Sequence, residues 1–266
     1  MAIAVMGVLN ITPDSFSDGG CWTDPERALA RGLEMVAEGA EVVDVGGEST
    51  RPGAEPVGDA EQCRRVLEVI AALAPHVRVS VDTRSVGVAE AALEAGASLV
   101  NDVSALLWPV VAAAGPGVGW VAMHMQGEPA TMQADPRYAD VVVEVQAFLV
   151  ARARAARAGG VEEIWIDPGI GFGKLLEHNL ALLARLDRLV ATGFSVLVGA
   201  SRKGLLGTLL DGAPSHDRLE GSLALAVWAA CQGVGMVRVH DVAATVDALR
   251  LVGDAGPRSS GVRGPA

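Results

Sequence analysis

Three absences narrow what this 266-residue chain can be. Cysteine is nearly missing: Cys21, Cys63 and Cys231 are odd in number, far apart, and form no CxxC or metal-ligand spacing. A disulfide framework is therefore excluded, and a reduced, cytoplasmic setting is expected. Positive charge is short, with 21 basic against 32 acidic residues and a net charge of −11, which argues against nucleic acid or an anionic membrane as partner. Long apolar runs are missing too. The uncharged stretch Gly221–Val237 includes Gln232 and three glycines and is short for a membrane span. No basic segment followed by an apolar one opens the chain, so no signal peptide is expected. Aromatics make up only 4%, yet half of the residues are apolar, enough for a sizeable aliphatic core. Lysine occurs twice, at Lys174 and Lys203, against 19 arginines, and asparagine three times, at Asn10, Asn101 and Asn179.

What is present is a repeated pattern of short apolar runs that stop at polar residues. Val5–Leu9 ends at Asn10; Glu41–Val45 carries Asp44 and leads into Gly46–Arg51; Val77–Val81 ends at Asp82. Ala97–Val100 ends at Asn101-Asp102, and Trp120–Met123 at His124. Glu163–Ile166 ends at Asp167, Ser195–Ala200 at Ser201-Arg202-Lys203, and Met236–Val239 at His240. The endings recur about every 33 residues, the length of a strand plus a helix.

Helical patterns fill the intervals. They are predicted from Asp24-Pro25 to Glu38 and over Asp59–Ala74, Ser85–Glu94, Tyr138–Ala158, Glu177–Ala191, Asp217–Gln232 and Val242–Val252. Pro109 and Pro116 leave room for only a short helix within Ala105–Pro116. Gly96, Gly159, Gly193 and Gly233 fall just past helix ends, where a left-handed residue is expected. Eightfold alternation predicts an α/β fold, a closed (β/α)8 TIM barrel in a single domain over residues 1–253, with an open doubly wound sheet as the competing architecture. Gly253–Ala266, rich in Gly, Pro and Ser, reads as a disordered tail from residue 254. Two glycine-rich loops, Ile11–Thr23 and Gly46–Gly58, are long enough to cover the rim.

If the runs are parallel strands, their polar endings meet on one rim, where such barrels do their chemistry. Asp44, Asp82 and Asp167 would converge there, and buried carboxylates need donors. A flat heterocycle with an amino group beside a ring N–H supplies two, with Asn101 offering both donor and acceptor. The competing reading is three Asp side chains that cap their own loops. Arg51, Lys203, Arg238 and His240 come from three strand-end loops and point to a phosphate or diphosphate site. Arg202 reads as a surface ion pair. Asp167–Lys174 satisfies neither the Walker nor the dinucleotide pattern. Its glycines either let the backbone pass beneath a flat ligand, with Phe172 closing the edge, or form a simple turn. His124 is either an acid–base group or a hydrogen-bonded barrel histidine. Asn10 is either a loop anchor or a ligand to a magnesium ion held mainly by phosphate and water.

Taken together, these segments resemble the dihydropteroate synthase family. The resemblance rests on Met6–Gly20, Asp44–Gly53, Ser80–Thr83, Asn101-Asp102, Met123–Gln126, Asp167–Lys174, Ser201–Lys203 and Arg238–His240, and covers residues 3 to about 252 in the family's order. It implies condensation of 6-hydroxymethyl-7,8-dihydropterin diphosphate with p-aminobenzoate, giving 7,8-dihydropteroate and diphosphate in folate biosynthesis. It further implies Asp82, Asn101, Asp167 and Lys203 on the pterin; Thr50, Arg51, Arg238 and His240 on the diphosphate; and Phe16, Pro52 and Ser201 around p-aminobenzoate, where sulfonamides compete. Asn10 matches the family's Mg2+ ligand, and a homodimer is implied. The chain departs from the family at Val103–Pro109, which is unusually apolar. A methyltetrahydrofolate-dependent methyltransferase is a competing enzyme class, against which Thr50-Arg51 and Ser201–Lys203 count. A non-catalytic pterin-binding paralogue is the other alternative.

Overall fold

The structure, a computed structural model, describes residues 3–12, 25–49 and 56–255. Eight parallel strands close into one barrel in sequence order: β1 (Ala4–Asn10), β2 (Val42–Gly46), β3 (Arg78–Asp82), β4 (Leu99–Asp102), β5 (Gly119–Met123), β6 (Glu163–Asp167), β7 (Ser195–Val198) and β8 (Met236–Val239). The ring is sealed by β1 against β8, with Ala4 opposite Met236. Closure removes the open-sheet alternative.

Helices α1 (Pro25–Glu38), α2 (Asp59–Leu73), α3 (Val86–Glu94), α4 (Trp108–Ala114), α5 (Val141–Ala158), α6 (Leu176–Ala184), α7 (Leu186–Val190), α8 (Gly204–Leu209), α9 (Leu219–Cys231) and α10 (Val242–Ala255) complete the described elements. Along each strand, outward residues such as Val43, Val79, Val100, Ile164, Val196 and Val237 pack beneath these helices. Each such burial stabilises the fold by roughly 1.5–3 kcal/mol. No described helix is long and apolar enough to cross a membrane.

The inward residues explain where the chemistry sits. Met6, Val42, Leu99, Val121, Leu197 and Met236 pack on one another inside the barrel and fill its lower half. Strand side chains alternate with period two, so the next inward residue lies two positions further up. On β2, β4 and β8 that step turns Val42 into Asp44, Leu99 into Asn101 and Met236 into Arg238. On β6 it turns Trp165 into Asp167, and beyond β7 it turns Leu197 into Gly199. An apolar plug thus becomes a polar mouth within one layer.

Several helix expectations are corrected. The helix predicted over 177–191 breaks at Arg185, and the change of direction lets Leu182, Leu183, Leu186 and Leu189 all bury. The α8 helix has no counterpart among the expected helices, because Gly204 and Gly207 mask its pattern; a Cβ at Gly207 would lie 2.3 Å from Arg218 Nη2. The α5 helix starts at Val141 rather than Tyr138, since Asp140 caps it by accepting from Val142 and Val143 N–H. Gly159 is right-handed, and Gly160 takes the left-handed role at φ 98°. Gly159 serves close packing instead: a Cβ there would come within 2.2 Å of the Trp108 ring. The α10 helix continues through Ala255, past the expected domain edge, and residues 256–266 lie outside those described.

Candidate active site

The polar strand endings converge at the C-terminal mouth of the barrel. Asp44, fully buried on β2, anchors the arrangement. Its Oδ2 accepts from Arg238 Nε at 2.6 Å and from Asn101 Nδ2 at 2.9 Å. Arg238 Nη2 donates at 2.8 Å to Asp82 Oδ2. One guanidinium therefore links strands β8, β2 and β3, while Asn101 adds β4. Gly46 separates Asn10 from Asp82; a Cβ there would lie 3.4 Å from Asn10 Oδ1 and 3.5 Å from Asp82 Cβ. A Cβ at Gly199 would lie 3.6 Å from Arg238 Cβ and 4.0 Å from Asp167 Oδ2. Missing side chains at these two strand ends keep the mouth open.

Three buried polar atoms have no hydrogen-bond partner among the described residues: Asp44 Oδ1, Ser80 Oγ and Asp82 Oδ1. An unpaired buried carboxylate oxygen costs on the order of 1–3 kcal/mol or more. Burial accordingly pushes the Asp82 carboxyl above the ordinary carboxylate range, against the pull of Arg238 and with further upward help from Asp44. Burial also raises Asp167, although the Gly169 N–H donates to its Oδ1 at 2.7 Å and Lys203 and Arg238 oppose the shift. These are carboxylates that gain from meeting a ligand's N–H groups.

The loop after β6 forms one wall. Its Phe172 ring lies 3.9 Å from the Lys203 ammonium, measured to the ring centroid. A cation over an aromatic face is held without being neutralised. Gly169 is left-handed at φ 66°, and any Cβ there would lie 2.0 Å from the His124 carbonyl oxygen.

Opposite, Ser201–Lys203 is held by an unusual backbone. Arg202 is left-handed at φ 56°, a strained conformation for a long side chain. It is fixed by an ion pair to Asp241 and by Arg218 Nη1, which donates to the carbonyls of Arg202 and Lys203 at 3.0 and 3.1 Å. The Arg202 ion pair read from the sequence is thus present. Ser201 Oγ accepts from the His240 N–H at 3.2 Å and lies 3.1 Å from His240 Nδ1. Giving its one proton to Nδ1 leaves the His240 Nε2–H as a donor.

Charge at the mouth is more balanced than a row of cations. Burial, then Arg238 and Arg202, lower His240 to about 3, so it is neutral near pH 7. Arg238 is engaged by two carboxylates. His124 is a hydrogen-bonded barrel histidine: its Nδ1 lies 3.0 Å from Lys174 Nζ, and burial lowers its pKa to about 3. Asp102 organises its own loop, accepting from Ser104, Leu107 and Trp120.

The structure brings Asp82, Asn101, Asp167, Phe172, Ser201, Lys203, Arg238 and His240 to this mouth, with Asn10 at its edge. Phe16, Thr50, Arg51 and Pro52 lie outside the described residues, as do residues 13–23 of the first long loop and 50–55 of the second. The feet of the second loop are described: Glu48 Oε1 accepts from Val57 N–H at 2.9 Å. Two participants are underread from the sequence. Asp44 shows no sign there of its partners, and Lys174 stands out only by lysine scarcity.

Among the described residues no group of three or more His, Cys, Asp or Glu could hold a metal ion. Asn10 offers a single amide oxygen. That donor set fits an oxygen-loving ion whose other ligands are phosphate and water.

Comparison with known proteins gives the family. The profile of the pterin binding enzyme family matches residues 6–240. A dihydropteroate synthase from Mycobacterium leprae is 48% identical, covering 98% of this chain and 97% of that protein. The Yersinia pestis dihydropteroate synthase, solved with a sulfonamide drug complex, superimposes with a TM-score of 0.90 at 42% identity, covering 96% and 94% of the two chains. The Thermus thermophilus enzyme, solved with 4-aminobenzoate, gives 0.86 at 49% identity, covering 95% and 94%. With its buried carboxylates, its Phe172–Lys203 wall and nearly full-length likeness to these proteins, this chain belongs to the dihydropteroate synthase family of pterin-binding enzymes.

Proposed function

We propose that this chain is a transferase that joins 6-hydroxymethyl-7,8-dihydropterin diphosphate to p-aminobenzoate, releasing diphosphate and 7,8-dihydropteroate for folate biosynthesis. The observation that carries the site assignment is the pair of Asp82, nearly buried, and Asp167, buried, two carboxylates with raised pKa at one mouth. Asp82 Oδ1 has no donor among the described residues. The amino group and ring N–H of a pterin supply donors of the required kind, and Asn101 adds an amide at the same mouth. Phe172 and Lys203 close over the ring edge.

The reacting carbon is a methylene on an electron-rich ring, so diphosphate can depart before the amine attacks. Such a dissociative substitution needs charge stabilisation more than proton transfer. The histidines fit that demand. His124 and His240, both lowered to about 3, are poor bases near neutrality. His240 Nε2–H, Arg238 and Lys203 instead meet the departing diphosphate, with Thr50 and Arg51 assigned to it from the family pattern. Magnesium, when bound, would neutralise phosphate oxygens, and Asn10 is the residue that would hold it. Ser201, with Phe16 and Pro52, would border the aminobenzoate, so sulfonamides are expected to compete there.

The cellular setting is the cytoplasm, a reading supported by Cys63 and Cys231, both free among the described residues. A homodimer is supported by exposed Leu180, Leu209, Leu210 and Trp228 on and beside α6, α8 and α9, which lie side by side.

The test is direct. Purified protein incubated with both substrates and magnesium should release diphosphate in step with dihydropteroate. Tight pterin binding without diphosphate release would identify a non-catalytic paralogue.

A further inference from the structure

Lys174 is one of two lysines in the chain and is only 3% exposed, yet it has no place among the groups assigned to the substrates. Its ammonium nitrogen lies 3.0 Å from His124 Nδ1 and donates to three backbone carbonyls: His124 at 3.2 Å, Gly169 at 3.0 Å and Phe172 at 2.9 Å. These acceptors surround one point. A compact tetrahedral ammonium can serve such a cage, whereas a planar guanidinium would spread its donors beyond it.

What the cage holds is the wall of the site. Within residues 169–173 two further carbonyls are tied down as well: Gly171 O accepts from Gln133 Nε2 at 2.6 Å and Gly173 O from Tyr138 Oη at 2.8 Å. Lys174 holds the two carbonyls that matter for the mouth. Gly169 is the residue whose N–H caps Asp167 Oδ1, and Phe172 is the residue whose ring carries the Lys203 ammonium.

We propose that Lys174 is a positioning residue for pterin recognition: by gathering the His124, Gly169 and Phe172 carbonyls, it aims Asp167 and, through the Phe172 ring, Lys203 at the pterin. The proposal rests on the pterin site described above. Lys174 itself touches no substrate. Without its ammonium, the His124 and Phe172 carbonyls lose their donor and the Gly169 carbonyl keeps only the Phe172 N–H, so the loop must turn them elsewhere. Because Asp167 and the ring that carries Lys203 ride on that loop, the loss appears first in pterin affinity.

The test compares Lys174→Met with the parent protein, measuring the Kd for the dihydropterin diphosphate by calorimetry together with kcat, the KM for p-aminobenzoate at saturating pterin, and Tm. The expected result is a Kd raised by about 10- to 100-fold, the loss that follows from one misplaced charged hydrogen bond, with the p-aminobenzoate KM changed less than about threefold. Lys174→Arg carries the same expectation and decides the matter if the Met variant does not fold. Adding Phe172→Leu should then cost less in the Lys174→Met background than in the parent, because both act on Lys203. Unchanged pterin affinity in a folded variant would overturn the proposal. So would equal weakening of both substrates, or full additivity with Phe172→Leu. A parent protein that binds no pterin diphosphate would instead overturn the functional reading, and it is measured first.

Discussion

The two ends of the barrel are built from the same kinds of charged residue and treat them in opposite ways. At the N-terminal end, Arg78 grips Glu163 with two bonds of 2.7 Å, Trp165 Nε1 donates to Glu163 Oε1 at 2.7 Å, and Arg78 also donates to the Ser98 carbonyl at 3.0 Å. Burial works to raise Glu163, but the Arg78 and Trp165 hydrogen bonds outweigh it, and its pKa lies below the ordinary value. At the C-terminal end, Arg238 is also clasped by two carboxylates, yet one oxygen of each has no partner among the described residues. The base is a finished polar lattice and the mouth an unfinished one. A polar group left incomplete at a cost to stability is a mark of function rather than of architecture.

Exchanging one side chain at each end breaks this comparison open. The largest effect is expected from Asp82→Asn, which keeps an acceptor for Arg238 but removes the charge that faces the pterin. Pterin affinity should fall on the order of 100-fold, with Tm unchanged or higher. A Tm loss matching the affinity loss would mean that the mouth is architecture too. Next comes Arg78→Met at the base, which strands Glu163. Its partners are partly exposed, so a loss of about 1–2 kcal/mol is expected, read as a Tm lower by roughly 2–8 °C, with kcat/KM kept within about twofold. Reduced pterin affinity in that variant would remove the distinction.

The smallest effect is in the pH dependence of stability, where the two ends carry opposite signs. Glu163 is depressed in the folded state, so its contribution is present above its unfolded value of 4.5 and lost as pH falls through the lower folded value. Asp82 is raised, so its contribution is present below its unfolded value of 3.8 and lost as pH climbs through the higher folded value. Urea midpoints across this range should flatten on the acid side in Glu163→Gln and on the neutral side in Asp82→Asn. Flattening of the same limb by both substitutions would contradict the opposed signs.

Much of this arrangement is readable without coordinates. Strand endings are legible because an apolar run that halts at Asp, Asn or His is a local signal, and closure of the barrel follows from its repetition. Illegible features depend on contacts across the ring. Arg238 and Asp44 are 194 positions apart, so no local pattern could show that this arginine is already clasped by acids. Lys174 is conspicuous by rarity, but its acceptors come from two neighbouring loops. The break at Arg185 and the α8 helix are hidden because leucine spacing runs on through the one and glycine interrupts the other. Assignments to Phe16, Thr50, Arg51 and Pro52 rest on the family pattern alone.

One consequence follows from the uncharged state of His240. On the proposed reading, an arriving diphosphate places negative charge against an imidazole that burial, Arg238 and Arg202 had kept deprotonated. Loading at acid pH should then draw hydrogen ions from the medium, and unloading should return them. Calorimetric titration of diphosphate in two buffers of unlike ionisation enthalpy would show the exchange as a difference in apparent heat, absent in His240→Gln. The reaction would thereby carry a small, reversible acid–base cycle that its overall equation does not contain.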